Sequence, residues 1–169
     1  LVGKLGDAVD VPAELAQLTG LTRLDLDKNK LTSVPAELGG LGTLQTLYLN
    51  SNNLSSVPPE LGRLRALEQL YIRRNVLTSV PAELGQLGAL EVLDLDDNKL
   101  TSLPAELAQL HGLRELSLSK NPLTSVPACV DELRERGVKV TGAAVLHDGD
   151  VGVLRLWRER CAALRELWG

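Results

Sequence analysis

The sequence is short of aromatic and sulfur-containing residues. Among its 169 residues there is no Phe and no Met, and Trp, Tyr and Cys occur twice each. A globular core usually combines side chains of different size and shape in order to fill an irregular interior. Leucine instead supplies 38 residues, which indicates one local environment that is used many times.

Other absences exclude several classes of protein. No apolar run reaches the roughly 18 residues of a membrane span, so no membrane partner is expected. The net charge of −4 argues against a nucleic-acid partner, because such proteins need basic surface to displace phosphate counterions. Two cysteines, Cys129 and Cys161, are too few for a disulfide framework. Because the first residues also lack the apolar core of a signal peptide, a cytoplasmic location is expected.

A repeat of 23 residues runs along most of the chain. Six of the eight prolines occupy one phase of this repeat, and seven positions are apolar in every complete unit. A partial unit covers residues 123–141. The complete units, which together with it make up the predicted repeat domain 8–141, are 8–30, 31–53, 54–76, 77–99 and 100–122.

Residues 44–54 read LQTLYLNSNNL, and this pattern recurs five times. It resembles the leucine-rich-repeat signature LxxLxLxxNxL. The LTSVPAEL segment at 31–38 is similar to that of intracellular members, such as plant Ras-group-related repeat proteins and the repeat domains of Ras-of-complex GTPases. The resemblance implies an α/β solenoid, a right-handed horseshoe arc with short parallel strands on its concave side. The convex side should then hold short helical turns or irregular chain.

Elementary packing supports the same fold. Leu47 and Leu49 alternate with a period of two, which predicts a short strand with one buried face. One unit cannot bury its own leucines, so the units must stack. The repeated asparagine, Asn52 in the second unit, is expected to satisfy backbone groups across neighbouring turns. Pro35 suits the first position of a short helical turn, and the glycines at 39, 62 and 85 are expected to end that turn.

The two ends depart from the repeat. Residues 1–7 are interpreted as a partial N-terminal cap, and Val138–Val140 as a last strand that is out of register by one residue. Residues 142–169 are predicted to form a turn and an amphipathic helix over 153–168. That helix either caps the array in a monomer or contacts a partner or a second copy. The residues of its apolar stripe proposed for such a contact are Leu154, Trp157, Leu164 and Trp168.

Sequence diversity is concentrated in and just after the predicted strands, whereas the convex segments hardly change between units. Uniform strands would suffice for folding, so diversity on one face favours recognition over neutral drift. Tyr and Arg are frequent contact anchors, and Tyr48 and Tyr71 occupy the same position in adjacent units. The predicted partner-binding residues are Arg23, Asp25, Asp27, Tyr48, Asn50, Tyr71, Arg73, Arg74, Asp94, Asp96 and Asp97.

The sequence offers no catalytic constellation. His111 occupies a variable surface position, and His147 lies in a polar HDGD turn without further ligands at fixed spacing. No catalytic residues, metal site or cofactor are therefore predicted. The resulting hypothesis is a non-enzymatic module that binds a protein through its concave face. The alternatives are a structural spacer or oligomerisation unit that uses the C-terminal helix, and the regulatory segment of a larger GTPase or kinase.

Overall fold

Each repeat forms one coil with a strand on one side and a helical turn on the other. The computed structural model of the protein describes residues 11–124 and 126–143. The strands are three residues long: β1 Arg23–Asp25, β2 Thr46–Tyr48, β3 Gln69–Tyr71, β4 Val92–Asp94, β5 Glu115–Ser117 and β6 Lys139–Thr141. The opposite side carries five-residue 3-10 turns at Ala13–Gln17, Ala36–Gly40, Pro59–Arg63, Ala82–Gln86 and Ala105–Gln109. An α-helix, α1, spans Ala128–Glu135.

The strands form one parallel sheet in the order β1-β2-β3-β4-β5-β6. From β1 to β5 every residue pairs with its equivalent 23 positions later, as Leu47 does with Leu70. The predicted α/β solenoid of short parallel strands and short convex turns is thereby confirmed. The last pair is shifted, because Leu116 lies opposite Val140. This shift confirms the predicted break in register, although the strand begins at Lys139 and not at Val138.

The core is a continuous stack of leucines between the strands and the convex turns. All seven repeated apolar positions are buried in the three units from 31 to 99. Leu47, Leu70 and Leu93, for example, have no exposed surface. Burial of a leucine contributes roughly 1.5–3 kcal/mol, so this shared core holds successive coils together. The first coil is packed less completely, since Leu18 remains 47 % exposed.

The repeated asparagines join each coil to the one before it. Asn75 Nδ2 donates to Leu49 O at 2.9 Å in the preceding coil and to Ile72 O at 3.1 Å in its own. Its Oδ1 accepts a hydrogen bond from Leu54 N at 3.0 Å. Asn52 and Asn98 make the same set of contacts and are equally buried. The predicted role of these side chains is confirmed, and we call this series the asparagine ladder.

The convex turns correct two expectations. Pro35 is the residue before the turn, with a ψ of 142°, and Ala36 is the first residue of the 3-10 segment. Gly39 lies inside that segment and does not end it. A Cβ atom at Gly39 would collide with the carbonyl oxygen of Glu60 in the next coil, and Gly62 and Gly85 face the same obstacle. These glycines therefore allow adjacent turns to approach closely.

The last described coil carries a feature that the repeat pattern does not predict. Helix α1 replaces the 3-10 turn, and it ends where Gly137 adopts a φ of +83°. Two hydrogen bonds close this end, from Val138 N to Leu133 O at 3.0 Å and from Gly137 N to Arg134 O at 2.9 Å. Arg136 occupies the sequence position that corresponds to a core leucine. Its guanidinium group donates to carbonyl oxygens of the preceding turn, those of Ala108 and Leu110.

Several predictions fall outside the described residues. They are the N-terminal cap 1–7, the helix 153–168 and its stripe Leu154, Trp157, Leu164 and Trp168. Within 11–124 and 126–143, no helix has the length and apolar character needed to cross a membrane.

Replacement of Asn75 by Ala tests the asparagine ladder. The change removes the acceptor of the buried Leu54 N–H, and an unsatisfied buried donor costs about 1–3 kcal/mol. We expect the free energy of unfolding in urea to fall by about 3 kcal/mol when the lost amide donors are included. Asn53→Ala is the matched control, because Asn53 is exposed, and it should change stability by less than about 0.5 kcal/mol. Equal effects of the two variants would contradict the ladder.

Replacement of Gly62 by Ala tests the close approach of the convex turns. The new Cβ would meet the Glu83 carbonyl, so the two turns must move apart and loosen the leucines beneath them. We expect a loss of about 1–3 kcal/mol in unfolding free energy, as overpacking usually causes. At Gly40 a Cβ meets nothing within 4 Å, so Gly40→Ala should be neutral or stabilising. A stable Gly62→Ala protein would show that the glycine serves another purpose.

Candidate functional site

The variable residues lie together on the strand side of the solenoid. In β2, Thr46 and Tyr48 are half-buried on either side of Leu47, which is fully buried. The same alternation recurs from β3 to β5. All eleven predicted partner-binding residues belong to β1–β4 or to the few residues that follow each of these strands. The fold thus brings them to one continuous surface, which we call the strand face.

Three of these side chains form a stack across adjacent strands. Tyr48 and Tyr71 are paired in register, and their ring centroids lie 4.9 Å apart with an interplanar angle of 9°. The Arg23 guanidinium carbon lies 4.5 Å from the centroid of the Tyr48 ring. A guanidinium over an aromatic ring is attracted by the electrons of the ring face. We call this arrangement the Arg–Tyr–Tyr stack.

Acidic groups lie beyond the other end of the stack. Tyr71 is paired in register with Asp94. The pKa of Tyr71 is raised, first because burial disfavours the phenolate and then because Tyr48, Asp94 and Glu115 repel it, while Arg23 acts in the opposite sense. The Tyr71 hydroxyl therefore stays protonated at neutral pH. Its Oη lies 3.5 Å from Gln69 Oε1.

A second set of hydrogen bonds crosses the strand face, and the repeat pattern does not predict it. It satisfies the backbone N–H two residues after each of the strands β1–β5. In two coils the acceptor is in the same coil: Asp27 N donates to Asp25 and Asp96 N donates to Asp94. In the other three it is in the preceding coil: Asn50 N donates to Asp27, Arg73 N to Asn50 and Ser119 N to Asp96.

We call this second set of hydrogen bonds the concave ladder. It follows a rule that can be read from the sequence once the fold is known. Where the preceding coil supplies Asp or Asn, its side chain accepts the N–H of the next coil. The residue of the preceding coil that faces Asp96 N is Arg73, whose side chain has no acceptor atom. Asp94, which lies in the same coil as Asp96, accepts this N–H instead. Asp25, Asp27, Asn50, Asp94 and Asp96 therefore support the backbone as well as lining the strand face.

The remaining predicted residues lie just after the strands. Arg74 and Asp97 occupy equivalent positions in adjacent coils, and Arg74 Nε lies 3.9 Å from Asp97 Oδ2. Both side chains are about half exposed, so this ion pair contributes little to stability. Both residues also adopt a left-handed backbone, with φ near +55°. Their charged side chains remain accessible to a partner.

The strand face is locally acidic near β4. The pKa of Asp94 is raised, chiefly because partial burial disfavours the charged form. Asp96 and Glu115 add repulsion, whereas the Asp96 N–H and Arg73 act in the opposite sense. Burial is therefore the main reason why the charged form of Asp94 is disfavoured.

Nothing in the described ranges gathers the groups of a metal centre. No three His, Cys, Asp or Glu side chains converge there as metal ligands do. His111 is exposed, and His147 lies outside the described residues. Cys129 is buried in α1, and burial raises the pKa of its thiol, so it remains protonated. Cys161 also lies outside the described residues.

Comparison with protein families gives a match over residues 9–134 to a family described as a leucine-rich repeat region. No curated protein in the set compared matches the chain.

Solved structures resemble the chain over most of its length. A leucine-rich-repeat protein of Leptospira interrogans is 42 % identical with a TM-score of 0.74, over 79 % of this chain and 34 % of that one. The ectodomain of the membrane receptor kinase GASSHO1/SCHENGEN3 from Arabidopsis thaliana, in complex with Casparian strip integrity factor 2, is 37 % identical with a TM-score of 0.71. That match covers 83 % of this chain and 18 % of the ectodomain. The PEPR1–AtPEP1 structure is 29 % identical with a TM-score of 0.63, over 68 % of this chain and 17 % of that one. The chain therefore spans about a third or less of these proteins.

Substitution of Asp94 by Asn tests the electrostatics of the strand face. Asn keeps an oxygen acceptor for Asp96 N but removes the disfavoured charge, so unfolding free energy at pH 7 should rise. Solvent screening limits the gain to about 1 kcal/mol or less. A raised folded-state pKa favours the native state of the wild type at low pH. The difference in unfolding free energy between variant and wild type should therefore disappear as pH falls through that pKa and below 3.8. Urea unfolding at pH 7 and pH 3 measures this difference, and a destabilised variant at pH 7 would contradict this account.

Proposed function

Because the chain belongs to the leucine-rich-repeat family, we propose that it is a protein-interaction module that binds a partner protein through the strand face and catalyses no reaction itself. The observation that carries this proposal is the Arg–Tyr–Tyr stack, which places two aromatic rings and a guanidinium group side by side on strands β1–β3 of a variable surface.

The distribution of sequence change supports the strand face as the binding surface. The 3-10 turns repeat nearly the same residues, AELGG, PELGR, AELGQ and AELAQ. The position that follows the central leucine of each strand instead changes from Asp25 to Tyr48, Tyr71, Asp94 and Ser117. The core does not require this diversity, because these side chains point away from the buried leucines.

The stack has the properties of an interface anchor. Tyr48 and Tyr71 hold each other in place, so little side-chain entropy is lost when a partner covers them. Both rings are only half-buried, which leaves surface for contact. Six strands at about 4.8 Å spacing span roughly 24 Å. That width suits a standard interface of about 800 Å² on each partner.

The structural neighbours support a polypeptide as the partner. The GASSHO1/SCHENGEN3 ectodomain is seen in complex with Casparian strip integrity factor 2, and PEPR1 is seen with AtPEP1. These ligands belong to those receptors. What we carry over is the class of ligand, a protein or peptide, and not its identity.

Two alternative functions stay open as proposals. One is a spacer or oligomerisation unit that acts through the predicted helix 153–168, with a homodimer replacing the expected monomer. The other is a regulatory segment of a larger GTPase or kinase. A cytoplasmic location likewise stays a prediction. Sedimentation velocity of the whole chain at several concentrations distinguishes monomer from dimer.

The decisive experiment compares capture of partners by three forms of the chain. We expect wild type to retain a specific protein from an extract of its own cells, and Tyr48→Ala/Tyr71→Ala to lose it. Truncation of two anchor residues typically costs several kcal/mol, so binding should weaken by at least about 100-fold. The captured protein, once purified, gives this ratio by titration calorimetry.

The control carries two changes on the convex side. Arg63→Ala/Gln86→Ala alters two exposed side chains and should retain the partner with unchanged affinity. Circular dichroism and urea unfolding check that all three forms fold. Loss of the partner from the convex variant alone, with binding retained by the double tyrosine variant, would refute the strand face as the binding surface.

A further inference from the structure

The two tyrosines of the stack differ in what covers their outer ring faces. The outer face of Tyr48 is covered by the Arg23 guanidinium, 4.5 Å from the ring centroid. The inner faces of the two rings cover each other. Tyr71 turns its remaining face toward β4, and no cation or second ring from residues 11–124 and 126–143 lies over it.

The surroundings of the two outer faces are otherwise alike. Asp25 is paired in register with Tyr48 on one side, and Asp94 is paired with Tyr71 on the other. Each of these aspartates accepts the backbone N–H two residues later in its own coil. The difference lies in the residue before the central leucine, which is Arg23 in β1 and Val92 in β4. One end of the stack therefore has an aromatic face, a carboxylate and a cation, and the other end lacks the cation.

The charges around Tyr71 favour a positive group at that place. The Asp94 and Glu115 carboxylates place negative charge near Tyr71, and Arg23 acts in the opposite sense. At Asp94, Arg73 offsets part of the repulsion from Asp96 and Glu115. Lys139 is engaged by Glu115 at 2.8 Å between Nζ and Oε1. A cation over Tyr71 would gain from the ring face and from the Asp94 carboxylate together.

We propose that the outer face of Tyr71, together with Asp94, binds an arginine side chain of the partner protein. The inference rests on the proposed function and names the chemistry of its ligand. The bound guanidinium group stacks on Tyr71 as that of Arg23 stacks on Tyr48, and its N–H groups donate to Asp94. The Arg–Tyr–Tyr stack thereby becomes a row of four groups with a guanidinium at each end.

Arginine fits this place better than lysine. A guanidinium group is planar, stacks on aromatic rings and is less strongly hydrated than an ammonium group. It also offers several N–H donors in one plane, so one edge can face a carboxylate while its face covers a ring. Arg23 shows that this chain already stabilises such a contact on a neighbouring tyrosine.

The test selects random 12-residue peptides, displayed on phage, for binding to the full chain. We expect the selected peptides to share an arginine. In synthetic copies, replacement of this arginine by citrulline, which keeps the shape but not the charge, should weaken binding on the order of tenfold. The loss should shrink to less than about twofold when the chain carries Asp94→Asn, since a double-mutant cycle isolates the pair.

The matched control is Asp25→Asn. Asp25 has the same hydrogen-bonding role and the same place beside a tyrosine, but its tyrosine is already covered by Arg23. The citrulline effect should therefore remain about tenfold in this variant. Equal behaviour of the Asp25 and Asp94 variants would overturn the inference.

A second variant supplies the missing cation from within the chain. Val92→Arg places an arginine at the position in β4 that Arg23 occupies in β1. It should weaken binding of the arginine peptides on the order of tenfold, so that the arginine and citrulline peptides bind with nearly equal affinity.

The outcomes separate the inference from the proposed function. Peptides that bind without an essential arginine, yet lose affinity with Tyr48→Ala/Tyr71→Ala, would overturn the arginine site and leave the strand face as the binding surface. Peptides that bind regardless of both tyrosines would overturn the inference and the proposed function together. Dependence on arginine, on the two tyrosines and on Asp94, with the citrulline effect unchanged in Asp25→Asn, supports both.

Discussion

Satisfaction of backbone groups where the chain leaves each strand is the constraint on which this structure depends. Three-residue strands cannot satisfy their flanking peptide groups by themselves, and buried groups of this kind must find partners. The asparagine ladder solves the problem on the inner side, and the concave ladder solves it on the outer side. The two ladders act in opposite directions along the chain. Each asparagine serves the coil before it, whereas Asp27 and Asn50 serve the coil after them.

Some side chains of the strand face accept backbone N–H groups, and others are left for recognition. Asp27, Asn50 and Asp96 each provide an acceptor to the next coil, and where Arg73 provides none, Asp94 of the next coil replaces it. Tyr48 and Tyr71 accept no backbone N–H in this way, although Asp25 and Asp94 do so at the equivalent position of other coils. The candidate binding surface therefore combines side chains that the backbone does not need, such as Tyr48 and Tyr71, with side chains such as Asp94 that also accept a backbone N–H.

The repeat period explains why so much of the fold is predictable and where prediction ends. Alternation around Leu47 and the 23-residue spacing determine strand, register and core, because every coil meets the same neighbours. The convex segment of the last described coil, ACVDELRE, departs from the AELGQ type of the described coils before it and forms the α-helix α1 instead of a 3-10 turn. The role of Gly39 depends on the distance to the Glu60 carbonyl in the next coil, which spacing alone does not give. The contact of Arg23 with Tyr48 likewise depends on a side-chain conformation.

The concave ladder also means that the coils are not interchangeable, despite their similar sequences. A tandem copy of the β2 coil would set one Asn50 behind another, and the amide oxygen of the first would accept the N–H of the second. A tandem copy of the β3 coil would set Arg73 behind Arg73, with Tyr71 two residues before it, and neither offers a suitable acceptor. Recombination that adds or removes coils is therefore constrained at each junction. A coil with arginine at the position of Arg73 must be followed by a coil with aspartate at the position of Asp94.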